Sequence, residues 1–188
     1  EPGLSRIIVH NAGAGRLTFT TDAAEAIGRA DIVFICVGTP MAEDGSADLS
    51  QVFAAARAIG RHAEGYTLAV TKSTVPVGTT EKAGAIIHEE LVARGSSATI
   101  DMANNPEFLK EGSAVSDFMS PDRVVVGTAS ERAREVMHRL YAPFLRTDDR
   151  VIFMSVPSSE LTKYASNAML AARISFMNEL ALLAERVG

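Results

Sequence analysis

The chain has 188 residues, 47% hydrophobic and 22% charged, a globular composition with room for one large domain or one domain and part of another. A formal charge of -5 gives no basic footprint for nucleic acid, and no apolar run reaches the roughly 18 residues needed to cross a bilayer. One cysteine excludes an internal disulfide framework and fits a reducing cytoplasm.

The opening EPGLSRIIVHNAGAG lacks the basic-then-apolar pattern of a signal peptide. It also lacks an initiator Met, so it reads as a piece of a longer chain. NAGAGRL (residues 11–17) has glycines but no convincing strand ahead of it and no G-x-G-x-x-G spacing, so it is not read as a phosphate loop. ADIVFICVGTP (30–40) is a short Ile/Val run closed by Gly38 and Pro40, the pattern of a buried parallel strand. SADLSQVFAAARAIGRHA then shows helical period, with Asp48 or Ser50 as its cap. TLAVTKSTVPVGTT is a second strand and turn, and TEKAGAIIHEELVARG a second helix stopped by Gly95. TIDMANNPEF and RVVVGTA are further strands, and SERAREVMHRLYAPF is an amphipathic helix capped by Ser130. RTDDRVIFMSVPSS (146–159) holds one more β-like run. The alternation predicts a parallel α/β sheet with helices on both faces. From 158 onward there is no Pro, and no Gly until the last residue, which predicts a helix of about 45 Å. That helix is apolar over much of its circumference, so it is buried on several sides or packs on a further domain.

Three strand ends carry polar turns: VGTP (37–40), KSTVPVGTT (72–80) and NNPEFLKEG (104–112). Gly and Pro end strands in any protein, but ligands of open parallel sheets bind beyond the carboxyl ends, and three such turns favour one shared rim. Glu107 and Glu111 lie four apart with Lys110 between them. If the chain turns helical after Pro106 they share a face and can orient water, a ribose hydroxyl or a general-base step. Equally, they suit the solvated start of a helix. Lys163 and Asn167 are also four apart on the long helix, placed either to hold an oxyanion or, for the lysine, to reach out to solvent. Cys36 reads as a small hydrophobe inside a buried strand, not a nucleophile. His10, His62, His88 and His138 are scattered without metal-ligand spacing, so no metal site is expected.

The ordered set EPGL, GRLTFTTD, ADIVFICVGTP, DGSADLS, KSTVPVGTT, NPEFLKEGSAVSDFMSPDRVVVG and SELTKYASNAMLAARISFMNELA resembles the UDP-glucose 6-dehydrogenase family, the NAD-dependent nucleotide-sugar dehydrogenases. The resemblance implies a Rossmann-like sheet without its first βαβ unit over 1–157 and the start of a central dimerisation domain over 158–188. It implies oxidation of UDP-glucose to UDP-glucuronate with two NAD, through a thiohemiacetal and then a thioester on a cysteine. Thr39 and Thr74 would line the NAD site, with Thr74 also holding an ordered water. Glu107 would act on water in thioester hydrolysis, and Phe108, Leu109 and Lys110 would touch the nucleotide sugar. Glu111 would contact the nicotinamide side. Lys163 would stabilise the oxyanion and bind substrate, and Asn167 would assist it. The long helix would form a homodimer core.

The family's CFPKD-like cysteine segment and UDP-binding domain have no counterpart in these residues, and Cys36 does not match that motif. The 188 residues alone are therefore expected not to turn over UDP-glucose. GDP-mannose or UDP-N-acetylmannosamine oxidation is the nearest rival. A 3-hydroxyacid dehydrogenase would have no task for Glu107, and a non-catalytic dimerisation module would need only the long apolar helix.

Overall fold

The apolar runs of the sequence become five strands: β1 (Ile32–Ile35), β2 (Tyr66–Thr71), β3 (Thr99–Asn104), β4 (Val124–Gly127) and β5 (Val151–Met154). They form one sheet in the order β1-β2-β3-β4-β5. The structure is a computed structural model that describes residues 1–145 and 150–188. Arg146–Asp149, the start of the run read as β-like, lie outside the described residues.

Helix α1 (Leu4–Gly13) and the short α2 (Ala23–Gly28) precede β1. Helix α3 (Ser50–His62) crosses from β1 to β2, and α4 (Thr79–Ala93) from β2 to β3. Both crossovers return the chain in parallel. Beyond β3 come the short helix α5 (Ala114–Met119), β4, then α6 (Glu131–Tyr141), β5 and α7 (Val156–Val187). The long helix thus opens two residues earlier than the sequence reading placed it. Residues 11–13 of NAGAGRL close α1, so those glycines follow no strand.

One junction departs from the all-parallel expectation. β3 pairs with β4 antiparallel, in register Asn104 to Gly127, while β4 and β5 are parallel to each other. Hydrophobic runs report burial and say nothing about strand direction, and the β3–β4 link carries no crossover helix long enough to span the sheet.

Alternate residues of β2 feed two cores. Ala69 packs with Ile27, Val52, Ile59 and Ile87 of α2, α3 and α4. Leu68 and Val70 pack with Ala133, Met137 and Tyr141 of α6. Helices therefore cover both faces, and β2 is buried from Thr67 to Thr71 as a central strand should be. Local signals set several boundaries. Asp48 accepts the Ser50 N–H at 2.8 Å, just ahead of α3. Gly95 takes a left-handed conformation, φ 62°, past the end of α4. Ser130 accepts the Ala133 N–H at 3.1 Å and caps α6. Ser155 caps α7, whose first turn holds Pro157.

In α7 only Ser159, Glu160 and Lys163 are buried, all on one side of its first two turns, and from Tyr164 onward the helix is almost wholly exposed. Within these residues it is therefore not buried on several sides; the other half of that expectation, packing on a further domain, stays an expectation. Among the described residues no helix is long and apolar enough to cross a membrane.

Candidate active site

The polar turns after β1, β2 and β3 meet at one edge of the sheet and are bonded into a rim. Thr39 donates its hydroxyl to the Thr74 carbonyl at 2.9 Å, and Ser73 donates to the Val37 carbonyl at 2.7 Å. These two bonds join the first turn to the second. Lys72 then joins the second to the third, its ammonium donating to Asn105 Oδ1 at 3.1 Å. The Tyr141 hydroxyl donates to the same oxygen at 2.5 Å, and Asn105 Nδ2 donates to the Val125 carbonyl at 2.8 Å. Asn105 is 1% exposed, and these three partners are what make its burial tolerable.

The third turn presents Glu107. Its Oε1 accepts from the Lys163 ammonium at 3.0 Å and its Oε2 from the Leu109 N–H at 2.7 Å. The lysine side chain is 9% exposed and the glutamate 36%, so the lysine does not reach out to solvent. The Lys163 ammonium also lies 5.3 Å from the Phe108 ring centroid, and the Arg123 guanidinium 5.1 Å from it. Partial burial alone would raise the Glu107 carboxyl. The bonds from Lys163 and Leu109, with the charges of Lys163 and Lys72, outweigh that and hold it below its ordinary value. Lys72 moves down too: burial disfavours its charge, and nearby Lys163 adds to that.

A cleft of about 190 Å³ opens here, lined by Lys72, Asn105, Glu107, Phe108, Arg123 and Tyr141 among others. Leu109 and Lys110 also line it, and Lys110 is tied to Asp117 through its N–H at 3.1 Å. Glu111 is exposed on the following turn and takes no part in the Glu107–Lys163 pair. The backbone after Pro106 is not helical until Ala114, so Glu107 and Glu111 do not share a helix face. The Leu109 N–H is taken by the Glu107 side chain, and a turn closed by the Ser113 N–H on the Lys110 carbonyl at 3.1 Å, with Gly112 at φ 85°, stands in place of the helical ladder that the spacing suggested. Asn167, one turn beyond Lys163, is exposed and joins none of these bonds. Cys36 is exposed just past the end of β1, not buried within it, because the strand stops at Ile35. The protein packed against one side of it still raises its thiol, against the pull of the Lys72 charge.

Lys72, Asn105, Ser159 and Glu160 were not picked out as site residues from the sequence. Each acts through partners more than 30 positions away, which no spacing argument reaches. The adjacent Asn104 and Asn105 at a strand end were the available signal, since both are 1% exposed.

The NAD binding domain profile of the UDP-glucose/GDP-mannose dehydrogenase family matches residues 1–145, and the central domain profile of that family matches 157–188. The chain belongs to this family. It is 51% identical over 188 residues to the UDP-glucose 6-dehydrogenase of Pseudomonas aeruginosa, covering 100% of this chain and 42% of that relative. The structure of a UDP-glucose dehydrogenase from the hyperthermophilic archaeon Pyrobaculum islandicum superposes with a TM-score of 0.89 at 45% identity, over 100% of this chain and 43% of that one. A ternary complex of GDP-mannose dehydrogenase from Pseudomonas aeruginosa superposes with a TM-score of 0.86 at 31% identity, over 95% and 41%. The chain thus spans less than half the length of these relatives.

Its sheet is a Rossmann-type one, and NAD is the cofactor of a domain of this family. The rim fits that group. Thr39 and Thr74 are half-buried at the carboxyl ends of adjacent parallel strands, and among the described residues the Thr74 hydroxyl has no hydrogen-bond partner, leaving it open to a ligand. Among the described residues no group of three or more His, Cys, Asp or Glu side chains is placed to hold a metal ion.

Proposed function

We propose that the full-length protein is an NAD-dependent dehydrogenase that oxidises the C6 alcohol of UDP-glucose to the carboxylate of UDP-glucuronate, consuming one water. NAD, when bound, supplies the hydride-accepting chemistry for both oxidations. In this reading residues 1–157 belong to the NAD domain and 158–188 open the central domain. Thr39 and Thr74 line the cofactor side, Thr74 holds an ordered water, and Glu111 faces the nicotinamide. Phe108, Leu109 and Lys110 contact the nucleotide sugar. The cleft is smaller than the roughly 300–1,000 Å³ of whole ligand sites, which suits one end of the substrate.

The observation that carries the reading is the Lys163–Glu107 pair, closed at 3.0 Å beside the bonded turns of the rim. A nearly buried ammonium is a strong donor for an oxyanion growing at the sugar carbon, with Asn167 assisting from the next turn. When Lys163 turns to that oxyanion, Glu107 loses a hydrogen bond and a nearby charge, and its basicity rises. It then takes a proton from the water that attacks the acyl carbon of a thioester. Water's oxygen bonds to that carbon, the carbon–sulfur bond breaks, and the sulfur leaves as thiolate. The thioester cysteine is placed by family resemblance outside these 188 residues, and Cys36, with its raised thiol, is not cast in that role.

Glu107→Gln in the full-length enzyme tests this. It is expected to slow hydrolysis by about 10²–10⁴-fold and to accumulate a covalent adduct visible by intact-protein mass spectrometry. Turnover equal to wild type removes Glu107 from the mechanism. The likeness to GDP-mannose dehydrogenase supports a second reading, the same chemistry on another nucleotide sugar. NADH production from UDP-glucose, GDP-mannose and UDP-N-acetylmannosamine, measured side by side, separates the two.

A further inference from the structure

Three residues before Lys163 lies Glu160, a carboxylate 1% exposed. Its Oε2 accepts the Gly78 N–H at 2.7 Å and its Oε1 the Thr80 N–H at 2.8 Å. Those groups belong to the first turn of α4, whose own N-cap, Gly78, has no side chain to offer. A helix start leaves four N–H groups unpaired and carries a partial positive charge, so a buried carboxylate placed there is both bonded and electrostatically favoured. The carboxylate comes from a different helix, 80 residues away in sequence. The neighbouring Ser159, also buried, donates to Asn104 Oδ1 at 2.7 Å. The first turns of α7 are therefore fixed to the end of β3 and to the start of α4 by adjacent residues.

These contacts determine where Lys163 points. A slip of one residue along a helix moves a side chain by about 1.5 Å and turns it by roughly 100°. Lys163 sits four residues after Ser159 and three after Glu160, so both lie one turn below it on the same side. Glu160 also reaches the segment that follows Thr74. It therefore links the turn on the cofactor side to the pair on the substrate side.

We infer that Glu160 is a positioning residue: by gripping the N-terminus of α4 it sets the rotation and height of α7 that seat the Lys163 ammonium on Glu107. The inference rests on the proposed function for its effect on turnover, but its geometric content does not. Glu160→Gln keeps the volume and turns one acceptor into an amide that faces an N–H donor. In the full-length enzyme kcat is expected to fall about 10- to 100-fold, the scale of a misplacement near 1 Å.

The discriminating readout is the titration of Glu107, followed by isotope-edited infrared difference spectra of glutamate-labelled protein, with Glu107→Gln identifying the band. The groups bearing on Glu107 are Lys163 from α7, Lys72 from the end of β2 and the Leu109 N–H of its own turn. If Glu160 seats Lys163, the Glu107 midpoint rises toward the ordinary carboxyl value in Glu160→Gln. A folded Glu160→Gln protein with an unmoved midpoint overturns the inference, whatever its turnover. Should that variant not fold, Glu160→Asp, which keeps the charge but retracts it, is read in the same way. Unchanged turnover of Glu107→Gln, by contrast, defeats the proposed function and leaves the titration result to stand alone.

Discussion

Glu107 stays charged because two donors hold it, and that has a consequence for pH. Its carboxyl lies below the ordinary value of 4.5, so pairing stabilises the fold fully above that value and is lost as pH falls through the depressed one. Lys163→Met keeps the stem and removes the ammonium. Thermal melts at neutral pH should show the variant less stable than wild type, and the gap should close as the pH drops well below 4.5. A gap that is constant with pH would show that the loss is one of packing alone. Asn105 offers a second case. Tyr141, pushed up to about 12 chiefly by burial, remains a hydroxyl donor throughout the useful pH range. Tyr141→Phe removes one of two donors to Asn105 Oδ1 while Lys72 keeps the other. Urea unfolding should therefore register only about 0.5–1.5 kcal/mol, less than a buried oxygen left with no partner costs.

At the scale of elements, β4 and α7 meet closely enough that a side chain at Gly127 has no room. A Cβ there would stand 2.5 Å from Ser159 Cβ and 2.9 Å from Val156 Cα. Gly127→Ala must push back a helix backbone, a cost of about 1–3 kcal/mol, and because Ser159 moves with it, turnover should fall as well. Denaturation midpoints and kcat measured on one preparation check both effects. The elements themselves were largely legible: Ile/Val runs became strands, and Ser130 and Gly95 mark helix ends where the sequence placed them. The direction of β4 was not, since burial is the same for either direction. Helix α1 has no buried residue, so no core-facing pattern identified it. The rim was legible as three polar turns, and Lys163 as a polar residue on an apolar helix. What joins them was not, because Lys72–Asn105 and Glu160–Thr80 are pairings of the fold and leave no local mark.

At the scale of the molecule, α7 extends far beyond what the sheet covers. It runs 32 residues, about 48 Å, and its last buried residue is Lys163. Beyond that point Met169, Phe176, Leu180, Leu183 and Val187 recur at intervals of seven, four, three and four, one stripe along the helix, and Leu170, Ile174 and Met177 form another beside it. Contiguous exposed apolar surface of this kind is the mark of an interface. The homodimer that the family resemblance implies would place a second α7 on it, and the stripe spacing suits helices packed side by side. Phe176, 63% exposed, and Leu183, 54% exposed, lie seven residues apart on the stripe and far from Glu107 in sequence. Changing both to Glu would bury two unpaired carboxylates at each copy's contact, a penalty of several kcal/mol apiece that association of two helices does not recover. Sedimentation velocity on the full-length protein should show wild type as a dimer and Phe176→Glu/Leu183→Glu as a monomer. The melting curve of the variant distinguishes causes: a cooperative transition in the monomer means that the sheet and its rim fold without the partner. A variant that sediments as the wild type does would mean the stripe is covered from within the same chain.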